Sequence, residues 1–355
     1  MNLSGPLRSI LLVVAGASMV AGFSGGLARL GLVPALATSA EHHGALMICG
    51  FFGTLISLER AVAQDGRAAL AVPALAGCGS VLLAAGFTEP AAAAFLLSGL
   101  GLLAMTAAAT WRLPTLFTVV MTVGAALWPL GTFWWMAGAA VSEVAYVWLG
   151  FLILTITAER IELSRLSMPG IVSRAALVTI MALFVAALAM GQPWTGSRLL
   201  AASLGALALW LACSDIAVRT VRIGGQARFC AVCLLLGYGW LSVAAGTLLW
   251  WPPADTPFGH DAAIHAIGLG FVLSMVFAHA PIILPAVARV GVRYVPALYG
   301  PTAMLQAAVA IRIGGDVAQS YGLIAASAWL AIASLAAYIA TLASTSVRRS
   351  RFRLP

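Results

Sequence analysis

The sequence predicts an all-α fold: a polytopic transmembrane helix bundle of about 12 helices, built as three pseudo-repeated four-helix units. Three observations carry that prediction. The chain is 62% hydrophobic and 8% charged, against about 25% charged in an ordinary soluble domain. Apolar runs of about twenty residues recur from end to end, each long enough to cross the ~30 Å hydrocarbon core as a helix that satisfies its own backbone. The basic residues fall in alternate connections. No stretch is polar enough for a separate soluble domain, so residues 1–355 read as a single integral membrane domain.

The spans follow in order. Ile10–Leu32 comes first; Gly25 and Gly26 stand at its end with no small-residue cleavage site, so it reads as a retained span and not a signal peptide. His43–Val62 is second and carries the pair Glu59-Arg60. Ala68–Phe87 and Ala91–Trp111 are joined by a tight turn at Phe87–Pro90. Thr115–Met136 and Val141–Ala158 follow, the latter running into Glu159-Arg160. Ile171–Met190 is seventh. Leu199–Cys213, the eighth, is the weakest, and a count of eleven stays open there and at the Phe87–Pro90 turn. Ala227–Trp250, Asp261–Ala286, Val295–Ile311 and Val317–Ala343 complete the set.

Cytoplasmic loops collect Lys and Arg. All 19 basic residues here are Arg. Only Arg29, Arg198 and Arg312 fall on the odd-to-even side. The rest lie at the N-terminus, in even-to-odd connections or in the C-terminal tail, as do Arg60, Arg67, Arg165, Arg219, Arg289, Arg349, Arg351 and Arg353. The pattern predicts cytoplasmic N- and C-termini in a bacterial inner membrane. The net charge of +8 then reports orientation and contact with anionic lipid of the bilayer, not nucleic-acid binding.

Three segments repeat one text. GFFGTLISLER spans Gly50–Arg60, GFLILTITAER spans Gly150–Arg160 and GFVLSMVFAHA spans Gly270–Ala280. They sit on the second, sixth and tenth spans, four apart, and so cross in the same direction. The shared spacing, depth and direction predict internal repeats over about 1–111, 112–213 and 227–343. His279 stands where the first two copies have Glu59 and Glu159.

The five histidines, His42, His43, His260, His265 and His279, occupy only the second and tenth spans. Polar residues inside apolar spans are costly and mark function. His43 precedes Gly50, and His265 precedes Gly270, by distances that differ by two residues, about 3 Å along a helix. Two imidazoles at one level suit a haem iron held between helices, or copper. Glu143 on the sixth span lies at the level of His43, a candidate partner or hydrogen-bond acceptor. His42 and His260, beside Glu41 and Asp261, form a rim cluster that could hold a metal ion, with His43 and His265 completing the set; a solvated helix cap is the alternative. His260 could instead belong to the loop WPPADTPFGH. His279 lies fourteen residues beyond His265, about 21 Å deeper, before Pro281 and Pro285, which should break or kink the helix. A structural hydrogen bond, a proton relay or a second cofactor contact are its candidate roles. Salt bridges between helices suffice for Glu59-Arg60 and Glu159-Arg160. Trp134, Trp135, Trp250 and Trp251 read as an outer aromatic belt. Cys230 and Cys233 make a lone C-x-x-C whose metal or redox use is outweighed by simple packing.

This plan resembles haem-copper oxidase subunit I. The text HAIGLGFVLSM (His265–Met275), with HHGALMICGFFGTLI (His42–Ile56), more closely resembles the NnrS family of haem- and copper-containing membrane proteins, associated with nitric oxide stress and denitrification. The oxidases hold a low-spin haem between histidines of helices 2 and 10, and by position that resemblance gives the role to His43 and His265. The departures are specific. Ala263 and Ile267 flank His265 where the oxidases have a second histidine, the sixth span offers only Glu143 and Tyr146, and the seventh has no histidine. A three-histidine copper centre that reduces dioxygen is thereby excluded. The resemblance implies a b-type haem, with copper as a further candidate. The expected function is electron transfer or a nitric oxide response, with a redox partner or a small gaseous ligand. The alternative from the same residues is a metal-ion transporter or channel entered through His42, His43, His260 and His265; a scaffold whose histidines only pack is a third. No nucleotide loop and no serine or cysteine nucleophile constellation is present, so whether there is catalysis stays open.

Overall fold

The structure is a computed structural model that describes residues 4–35, 39–64, 68–164, 170–191, 194–253, 255–287 and 290–348. Arg67, Arg165, Arg289, Arg349, Arg351 and Arg353 lie outside the described residues. The chain divides into two compact units, Met1–Glu162 and Leu163–Pro355.

The first unit opens with α1 (Ser4–Arg29). The second span is a composite: α2 (Ser39–Ala45), a π-helical run Leu46–Phe52, and α3 (Gly53–Ala63). Then come α4 (Ala71–Ala84), α5 (Thr88–Arg112), α6 (Leu116–Met136) and α7 (Val141–Leu163). The second unit holds α8 (Ile171–Met190), α9 (Trp194–Ser214), the short α10 (Ala217–Thr220) and α11 (Gly225–Trp250). Its histidine helix is again composite: α12 (Pro257–His265), a π-helical run Ala266–Val272, and α13 (Leu273–Val287). After strand β1 (Val290–Val292) come α14 (Tyr299–Val317), α15 (Tyr321–Thr345) and strand β2 (Ser346–Arg348). The two strands pair antiparallel, Gly291 opposite Val347, and tie the chain after α13 to the end of α15.

Among the described residues, ten helices are long and apolar enough to cross a membrane, and the chain is a multi-pass membrane protein. Every predicted span coincides with a helix. The weak eighth span is the full helix α9. The two that fall short are α4, at 14 residues, and α14, which carries Arg312 and Asp316.

Lipid tails are as apolar as leucine, so close packing and hydrogen bonds, not burial, hold membrane helices together. Two glycines of the first copy are such contacts. A Cβ on Gly50 would lie 2.2 Å from Ser18 Oγ and 2.7 Å from Ser80 Oγ. One on Gly53 would lie 2.6 Å from the Trp128 ring, which stacks on Phe151 at 5.4 Å and 15°.

The helix α13 runs on through Pro281 and Pro285. Pro281 has no N–H for the carbonyl of Phe277, four residues earlier. Tyr338 on α15 supplies the donor: its hydroxyl donates to Phe277 O at 2.6 Å, and the Phe277 and Tyr338 rings stack at 3.8 Å and 12°. Replacing Tyr338 by Phe keeps the stack and strips the donor from a buried carbonyl. The expected loss is about 1–3 kcal/mol, read as a lower unfolding midpoint in detergent; an unchanged midpoint would show that the carbonyl needs no such donor.

Candidate functional site

In the first unit, His42 and His43 sit side by side on α2. His42 leaves helical geometry (φ −111°, ψ 15°), a sparsely populated conformation that the surroundings must hold in place. Its ring rests against Trp135 at 5.6 Å, and Trp135 meets Trp148 edge-on at 5.7 Å. Trp135 therefore anchors a histidine. His43 packs instead against a glycine face of α1. A Cβ on Gly25 would lie 2.2 Å from Ser39 O and 3.1 Å from His43 Cβ; one on Gly26 would lie 3.9 Å from His43 Cδ2; one on Gly22, 2.7 Å from Met47 Sδ. Only glycine lets α1 close on this stretch.

In the second unit, Pro257 stands in the first turn of α12 and starts the helix that carries both His260 and His265. His260 therefore belongs to the helix, not to the preceding loop.

The tautomers follow from backbone geometry. A carbonyl oxygen can only accept, so a ring nitrogen bonded to one carries the proton. His265 Nδ1–H donates to Asp261 O at 2.7 Å, His279 Nδ1–H to Met275 O at 2.7 Å, and His43 Nδ1–H to Ala40 O at a longer 3.4 Å. In the neutral form of each ring the lone pair is then at Nε2. Histidines that bind metals are commonly fixed in this way. The His279 bond stays within its own helix, one turn back.

A π-helical run of seven residues follows each candidate ligand, three residues after His43 and directly after His265. The Gly-Phe pair falls at the same place in both runs: Gly50-Phe51 in Leu46–Phe52 and Gly270-Phe271 in Ala266–Val272. The third member, Gly150-Phe151, lies in the unbroken α-helix α7. Each π run inserts one residue, which turns the preceding histidine by about 100° relative to an uninterrupted helix. It also packs more residues into each turn, so His279 lies less deep below His265 than an unbroken helix would place it. In the first run, Ser18 Oγ donates to Leu46 O at 2.8 Å, binding a carbonyl that the irregular turn would strain.

Glu143 is exposed, and its carboxylate accepts the Ala140 N–H at 2.8 Å. It caps the first turn of α7, and no role toward His43 is needed to explain it. Arg60 Nη2 donates to Glu59 at 2.9 Å and to Glu159 at 3.0 Å. The two repeat-equivalent glutamates thus share one guanidinium between α3 and α7, the interhelical salt bridge expected of these pairs. None of the five cysteines forms a disulfide, and Cys230 Sγ donates to Ala278 O at 3.0 Å. Among the described residues, no three His, Cys, Asp or Glu side chains converge on a point that could hold a metal ion.

One group escaped the sequence reading. Arg312, at 8% exposure, donates from Nε to both carboxylate oxygens of Asp316, at 3.1 and 3.0 Å, and its Nη2 lies 3.4 Å from Asp261 Oδ2. The available signal was its place among the three arginines that break the alternation of charge. Asp316 lies beyond the predicted span Val295–Ile311. Burial pushes its carboxyl up from 3.8 to about 6, against the pull of Arg312. A pKa raised by folding gives stability that is full below 3.8 and lost as pH rises through about 6. Lowering the pH from neutral through about 6 is expected to raise the unfolding midpoint, and Asp316→Asn to flatten that rise. A rise of equal size in the variant would assign it to another group.

No curated protein and no solved structure matches the chain. Residues 8–347 match the family described as a domain of unknown function, DUF8744, and the chain belongs to that family.

Proposed function

We propose that this is a haem-binding membrane protein, with His43 and His265 as axial ligands of a b-type haem and a role in electron transfer or the response to nitric oxide. The observation that carries the reading is the shared preparation of two rings. Each is half-buried, has its proton held at Nδ1 by a backbone carbonyl, and stands just before a π-helical run. Neutral imidazole presenting Nε2 is the donor that haem iron takes, and two such donors suffice. The donor set therefore fits haem. The alternative, a cation site made wholly of protein ligands, would need donors beyond these two rings. When bound, haem would supply one-electron exchange or capture of a small gaseous ligand. The chain's own part is to present the lone pairs, to hold each ring's tautomer and to keep the surroundings apolar.

The resemblance of His42–Ile56 and His265–Met275 to the NnrS family favours the nitric oxide branch. The arginine alternation favours a bacterial inner membrane with both termini cytoplasmic. The deciding measurement is an absorption spectrum of the purified protein with a parallel metal analysis. A Soret band with about one iron per chain is expected. Colourless protein with bound copper or zinc would overturn the reading in favour of a metal transporter, and protein with neither would leave a scaffold.

A further inference from the structure

We infer that Arg312 is a positioning residue for His265, acting through Asp261. The inference rests on the haem reading for its purpose, though not for its geometry. His265 Nδ1–H donates to the backbone carbonyl of Asp261, and the Asp261 carboxylate faces Arg312 Nη2 at 3.4 Å. Arg312 is in turn clamped through Nε by Asp316, itself 2% exposed. One guanidinium on α14 thus grips two carboxylates. One of them belongs to the residue whose carbonyl fixes the imidazole.

Two features argue that this is more than a local ion pair. Arg312 is one of three arginines on the side that otherwise lacks them, so a specific use must offset its unfavourable placement. Asp316 lies four residues on, on the same helix, and both side chains are buried. It therefore fixes the guanidinium's direction without joining any second helix. The clamp aims Arg312, and Arg312 holds the first turns of α12. A buried arginine with its fork oriented loses little freedom on meeting a further carboxylate. The Asp261 end of α12 is thereby pinned to α14, and the carbonyl that sets the His265 tautomer stays in place. Partners of this kind, one step removed from a metal ligand, typically change affinity by about 10–100-fold.

The test uses the full chain labelled with nitrogen-15 histidine, the His265 signals being assigned by their loss in a His265→Gln variant. The apoprotein is expected to show His265 in a single form protonated at Nδ1. Arg312→Gln and Asp261→Asn should both convert it to a mixture of tautomers and weaken haem retention by about tenfold. Arg312→Lys, which keeps the charge but loses the fork, should fall between them and the native chain. If Arg312→Gln fails to fold, Asp261→Asn decides, since it keeps the shape and the backbone carbonyl. Folded variants with an unchanged His265 tautomer overturn the inference. Absence of haem from the native protein would overturn the proposed function while leaving the tautomer result to stand or fall by itself.

Discussion

Substituting His43 or His265 by Ala is expected to abolish the Soret band of the purified protein, each alone and to the same degree as the double variant. The argument is one of ligand count. In the proposed site each imidazole supplies one of two axial bonds, so removing either leaves the iron held from one side only. Losing a partner of a ligand commonly costs about 10–100-fold, so losing the ligand should exceed that and leave haem unretained through purification. Free imidazole should restore part of the band in either variant, because it replaces the missing lone pair. His42→Ala is the matched control. Its ring is held against Trp135, and its loss should leave the band in place. Retention of the band in both single variants would sink the assignment. Its loss in His42→Ala as well would show that the kinked stretch acts as one unit.

Gly270→Ala should destabilise this chain, and Gly268→Ala, two residues away in the same π-helical run, should not. A Cβ on Gly270 would lie 2.6 Å from both Cβ and Cγ of Trp240; nothing lies within 4 Å of one on Gly268. Trp240 cannot swing aside cheaply. The clash is at the root of its side chain, and its indole N–H donates to Gln306, whose amide donates to Ser274 at 3.1 Å. Overpacking of this kind costs about 1–3 kcal/mol, and displacing the Trp240–Gln306–Ser274 chain adds an unsatisfied polar group in an apolar surrounding. For Gly268, the higher helix propensity of Ala offers up to about 1 kcal/mol in the other direction. Unfolding midpoints of the two variants in detergent should therefore move oppositely. A Gly270→Ala midpoint no lower than that of Gly268→Ala would mean that Gly270 does not hold α11 at this distance.

The spans were legible because a helix in lipid must be apolar over a length set by the bilayer, and that is a property of consecutive residues. The Gly-Phe repeat, the pairing of histidines on two related spans and the charge alternation were legible for the same reason: each is a pattern along the chain. Even Glu159 as a salt-bridge partner for Arg60 could be expected, because the repeat puts both at one depth. Glu143 shows the limit of this reading. Depth placed it level with His43, but its carboxylate turns back to its own helix and accepts the Ala140 N–H.

By itself the sequence determined that this is a bundle of membrane helices with its histidines on two of them. Only the tertiary structure decided the π-helical run after each candidate ligand, the proton on Nδ1, the glycine face that receives His43, and the reach of Arg312 to Asp261. The reason is physical. Helical periodicity is written locally, whereas an inserted residue in a helix is stabilised by side chains from other helices, as Ser18 does for Leu46 O. The direction of a ring or a guanidinium depends on which distant groups the fold brings to it, and no spacing along the chain encodes that.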